Sequence, residues 1–162
     1  MYAPSASTTL ISVLLCIASF ASPAALGGEL TASLKVLRAA PTDASSQAAQ
    51  RAAWQQVAAA DVSELPVILD AMQEASPLAV NWLRSAADAV AERHLQQTGK
   101  LPRTMLEKYT LDTSHPPLAR RVAFQWLIRV EPDARPRLLA QMLDDPSLEL
   151  RYDAVAELIN QA

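Results

Sequence analysis

The residues able to do chemistry are few and poorly placed for it. His94 and His115 are the only two imidazoles in the chain. Neither stands in an HExxH, CxxC or clustered-carboxylate setting, so no zinc or di-iron spacing exists. Serines are plentiful, but G-x-S-x-G, S-x-x-K and glycine-rich loops are missing, which leaves no activated hydroxyl and no phosphate cradle. The expectation is therefore a protein without catalytic residues, metal or cofactor. Glu149, Asp153 and Glu157 form an acidic row at successive i,i+4 spacing, which costs a helix about 0.2–0.5 kcal/mol per like-charge pair. Such a row is either a solvated face, with Glu149 favoured by the helix N-terminus, or one ridge of a surface for a basic protein partner. Arg120, Arg121, Arg129, Arg135 and Arg137 supply the opposite sign nearby and are expected to pair between helical units rather than to bind anions. Trp82 and Trp126 fall on apolar helix faces and are read as core, with an exposed hot spot as the other reading.

The elements that would position these groups are helical. In 162 residues, three glycines accompany abundant alanine, the composition of helices rather than of open loops, since alanine loses no side-chain entropy in a helix. All-β and Rossmann-type folds are disfavoured. The net charge is −3, from 14 basic and 17 acidic side chains, and like charges never run longer than a pair. That pattern lacks the footprint of a nucleic-acid or anionic-membrane binder.

Leu10 to Ala21 (LISVLLCIASFA) is an uncharged apolar run, too short for a bilayer core that needs about 20 helical residues. It reads as the hydrophobic region of a secretory signal peptide covering residues 1–24, with cleavage after Ala24 at a small-x-small site. The first charged side chain is Glu29, so the n-region carries only its α-amino group. Cys16, the single cysteine, lies inside the signal and lacks the small preceding residue of a lipoprotein site, so the processed chain has no disulfide. The expectation is an exported protein, periplasmic or extracellular, without stable membrane insertion once the signal is removed.

Beyond the signal, prolines and Asx or Ser caps punctuate segments of helical periodicity. Residues 25–60 read as an N-terminal helical cap of two helices, one carrying Leu30, Leu34 and Leu37 and one running from about Ala44 to Ala60 with Trp54 and Val57. Asp61-Val62-Ser63-Glu64 offers a capping box, and Leu65, Ile68, Leu69 and Met72 make a stripe. Ser76-Pro77 opens a long helix that Gly99 can end. The same grammar recurs from Leu101 and from Asp133, giving three helix pairs over residues 61–162 at the period of a two-helix repeat.

The second helices of the last two pairs align without a gap on Arg-x-x-Ala-x-x-x-Leu, as Arg120, Ala123, Leu127 and Arg151, Ala154, Leu158; Arg84 and Ala87 match in the first pair, where Ala91 replaces the leucine. The stretch from Asp145 to Leu158 resembles the second-helix signature of HEAT repeats. The resemblance implies an all-α, right-handed superhelical α-solenoid of antiparallel helix pairs that acts as an interaction scaffold. It also implies that Arg120 and Arg151, with Asp144 or Asp145, form a structural ladder between neighbouring repeats.

Leu148, Tyr152, Val155, Ile159, Ala154 and Leu158 cover an arc wider than one neighbour needs. Terminal repeats normally carry a polar outer face, so the last helix is expected to be sticky, with self-association or continuation beyond residue 162 as the outcomes. The function expected is an exported, non-catalytic protein–protein interaction scaffold. The alternative is the N-terminal helical module of a longer secreted protein whose enzymatic or binding domain follows.

Overall fold

Caps and prolines do start these helices. In the computed structural model, which describes residues 23–161 with side chains from residue 28 on, α1 spans Pro23–Ala39 and α2 Gln47–Ala58. A 3-10 turn leads into α2, with the Asp43 carboxylate accepting from the Ser46 amide at 3.0 Å. α3 is Leu65–Asp70, preceded by a turn in which Asp61 accepts from the Ser63 amide at 2.9 Å. α4, Pro77–Thr98, begins at Ser76, whose hydroxyl accepts from the Ala79 amide. It ends at Gly99 with φ 70°, a left-handed position that glycine takes without a Cβ penalty.

α5 is Arg103–Leu111 and α6 Pro117–Val130, where the missing N–H of Pro117 costs nothing in the first turn. α7 is short, Ala134–Leu139, and tightens into a 3-10 turn over Ala140–Met142. α8 is Leu148–Gln161. Among the described residues there are eight α-helices and no strand, and no helix long and apolar enough to cross a membrane. Residues 1–22, which hold the apolar run and Cys16, lie outside the described residues; the expected cleavage point after Ala24 falls in the first turn of α1.

The apolar stripes read from the sequence turn inward. α1 packs on α2 and α4, α2 on α4, α3 on α4 and α6, α5 on α6, and α7 on α6 and α8. One apolar cluster runs through all of them, from Leu34 and Leu37 through Leu83 and Val90 to Leu127, Leu139 and Leu150. The two N-terminal helices thus share the core of the helices that follow. Trp126 is buried with this core, whereas Trp82 is only partly covered.

Candidate functional site

Arg120 is the largest fully buried side chain, 1% exposed. A guanidinium cannot be taken out of water without partners, and its donors are met. Nε donates to the Thr110 carbonyl at 2.9 Å, Nη1 to Asp145 Oδ1 at 3.0 Å, and Nη2 to Asp145 Oδ2. Asp145 also accepts from the Ser147 amide at 2.8 Å, and the Ser147 hydroxyl faces the Leu150 amide. This one carboxylate therefore locks α6 to the start of α8. Burial pushes the Asp145 carboxyl up, but hydrogen bonds from Arg120 and the Ser147 amide, and the charges of Arg120 and Arg151, outweigh it and hold it below its ordinary value. Of the remaining residues named for the ladder, Asp144 is exposed, and half-buried Arg151 reaches Asp145 only through its charge.

The acidic row is already occupied from within. Arg121 pairs with Glu149 at 2.8 Å and with Asp153 at 3.3 Å, and Arg135 pairs with Glu157 at 2.9 Å. Arg129 pairs with Glu92 at 2.8 Å and lies over the Trp126 ring at 4.7 Å, while Arg137 holds Glu107 with bonds of 2.5 and 3.0 Å. All five arginines thus bridge between helices, and a basic ligand would have to displace them from the row.

Apart from Arg135 to Glu157, which joins α7 to α8, and Arg120 to the Thr110 carbonyl, which joins α6 to α5, these ties join alternate helices. Arg84 donates to Gln125 at 2.7 Å, the Trp126 indole donates to Asp88 at 2.7 Å, and Arg129 forms an ion pair with Glu92, so α4 meets α6 along three successive turns. α6 then meets α8 through Arg120 and Arg121. In parallel, the Tyr109 hydroxyl donates to Asp70 at 2.7 Å and Glu107 meets Arg137, linking α3 to α5 and α5 to α7.

His115 and His94 stay apart, His94 on α4 and His115 in the turn before α6. Sequence reasoning missed the partners of His115: Nδ1 is 2.8 Å from Asp70 Oδ1, Nε2 is 3.8 Å from Asp112, and the ring stacks on Tyr109 with centroids 3.9 Å apart. Burial, then the bond to Asp70 and its charge, push the Tyr109 phenol well above its ordinary value. This cluster edges an open cleft of about 610 Å³ that Arg103, Lys108 and Met105 also line. The adjacent Ser114 hydroxyl donates to Asp112 at 2.6 Å rather than to the imidazole. The three side chains thus tie α3, α5 and the turn together. No local pattern could have found them, since Asp70 lies 39 and 45 residues from its two partners. No group of three metal-ligating side chains occurs among the described residues.

α8 divides sharply. Leu150 and Ala154 face the core at 0% and 1% exposure, whereas Leu148, Tyr152 and Ile159 are 70–74% exposed, with Val155 and Leu158 about half as covered as the core requires. Five of the seven exposed large apolar residues found among the described residues lie on this one helix. Beside them, Arg121, Glu149 and Asp153 border a recess of about 310 Å³ floored by Leu148 and Tyr152. No family model, characterised protein or solved structure matches the chain.

Proposed function

We infer that the chain is an exported, non-catalytic protein-interaction scaffold built from HEAT-like helix pairs, and that the outer face of α8 is its binding surface. The observation that carries this reading is the apolar strip on α8. A molecule that satisfies its buried arginine and pairs the acidic row of α8 with its own arginines leaves one contiguous row of large apolar side chains uncovered, the signature of an interaction site. The bridges between alternate helices, α3 to α5 to α7 and α4 to α6 to α8, support the repeat-array reading, in which each unit touches its neighbours in chain order. The lock from Arg120 to Asp145 has the placement that the HEAT resemblance implies for a turn aspartate and a second-helix arginine.

A photo-reactive residue in place of Tyr152, compared with one in place of Lys35 on α1, tests the reading in the cells that make the protein. Crosslinking to protein, whether a second copy or another chain, is expected from position 152 at several times the level from position 35; equal, background crosslinking from both overturns it. The export part is checked separately. The processed chain is expected to begin near Ala25 on N-terminal sequencing, and replacing Leu14 and Leu15 by Arg should abolish export, because charge removes the apolar character of the signal. An exported chain that retains residues 1–24 would refute it.

A further inference from the structure

We propose that the occupant of the α8 face is a second copy of this chain, docked as a two-fold symmetric, antiparallel α8–α8′ pair. This deepens the interaction-scaffold reading and rests on α8 being its binding face. The exposed residues Leu148, Tyr152, Val155 and Ile159 recur at 4-3-4 spacing, the seam by which two helices interdigitate side chains. Such a seam is self-complementary under a two-fold axis, where the same patch serves both subunits. In the antiparallel register Tyr152 meets Val155 of the second copy and Leu148 meets its Ile159. That placement brings the incoming Ile159 over the recess of about 310 Å³ floored by Leu148 and Tyr152.

The area is sufficient. The exposed parts of the apolar side chains on this face come to roughly 600 Å² per copy, so pairing hides about 1,200 Å², the lower end of stable, specific interfaces. The rim is polar, as such interfaces require, since Arg121 and its carboxylate partners edge the recess and stay hydrated. Among the described residues head-to-tail stacking finds no matching surface: the outer sides of α1 and α2 expose Glu29, Lys35, Arg38, Arg51 and Gln55. Among the described residues, apolar face meets apolar face when α8 meets α8.

Light scattering on the purified chain, eluted by size exclusion over a concentration series up to about 100 µM, decides this, since that range reveals a dimer of micromolar affinity or tighter. A doubled mass is expected, reduced to the monomer in Ile159→Glu and in Tyr152→Glu, with Leu78→Glu on α4 as the unaffected control. Circular dichroism of each variant separates a dissociated dimer from an unfolded chain. The double variant Tyr152→Cys/Val155→Cys should form a covalent dimer on mild oxidation, which reports the register. A monomer throughout, a dimer that survives Ile159→Glu, or open-ended oligomers would each overturn the proposal. A monomer whose position 152 still crosslinks to another protein removes the self-docking and leaves the scaffold reading standing; a monomer with background crosslinking removes both.

Discussion

Arg120 and Arg121 are adjacent in sequence, belong to one helix and both reach toward α8, yet they do different work. Arg120 is buried in a two-pronged bond with Asp145, while Arg121 lies across the surface between Glu149 and Asp153, about one-third exposed. The contrast shows that burial, rather than the charge pair itself, sets energetic weight. Water screens the outer pair and competes for its donors. In the inner pair water has been removed, so the partners are obligatory to each other even where the pair as a whole adds little over an apolar substitute.

The largest effect should come from orphaning the inner guanidinium. Asp145→Ala leaves Arg120 charged and buried with the Thr110 carbonyl as its one remaining acceptor, and also removes the acceptor of the Ser147 amide; a loss of about 3–5 kcal/mol in chemical denaturation is expected. The double variant Arg120→Met/Asp145→Ala should recover part of that loss, because no uncompensated charge remains. If Asp145→Ala cost no more than a surface substitution, the distinction between the two arginines would collapse.

Acid sharpens the same point. The folded-state carboxyl of Asp145 is held below its ordinary value near 3.8, so its contribution is complete above that value and is lost as pH falls through the lower folded one. Stability measured below about pH 4 should therefore decline more steeply in the native chain than in the Arg120→Met/Asp145→Ala variant. On the base side Tyr109 contributes, its phenol being raised above its ordinary value of 10.0 by burial and by the bond to Asp70. The sign reverses here: its contribution is complete below that value and disappears as pH rises beyond it, because the unfolded chain ionises first. Tyr109→Phe should cost about 1 kcal/mol at neutral pH, the worth of the bond to Asp70, and should flatten the alkaline decline. An unchanged alkaline limb would show that another group controls it.

The sequence makes the helices legible because their determinants are local. Ser76 with Pro77, Asp61 with Ser63, and Gly99 at a left-handed position each act within four residues. The recurrence of Arg-x-x-Ala-x-x-x-Leu drew attention to Arg120, but equally to Arg151, and only the structure distinguishes them: one is sealed under Asp145, the other half-exposed. The acidic row reads from sequence as a solvated face or a ridge for a basic partner, because its own partners, Arg121 and Arg135, come from helices 22 to 32 residues away. The Asp70, Tyr109 and His115 tie was invisible for the same reason. On α8, Leu150 is core and Leu148 is surface, a difference fixed by which side α7 approaches rather than by any property of the two leucines.

The smallest effect belongs to the outer pair. Arg121→Ala removes both ion pairs to α8, but Glu149 is 60% exposed and Asp153 26%, so neither becomes a fully buried orphan. The loss should be about 0.5 kcal/mol or less, falling further as salt screens the pair. Its consequence should instead appear at the interface. Glu149 and Asp153 then face outward without a counter-charge on the rim of the α8 recess, and two copies brought together along α8 carry that repulsion twice. Dimerisation should weaken more in Arg121→Ala than folding does, and added salt should restore it; a variant that loses stability as heavily as Asp145→Ala would mean that Arg121, too, is part of the buried lock.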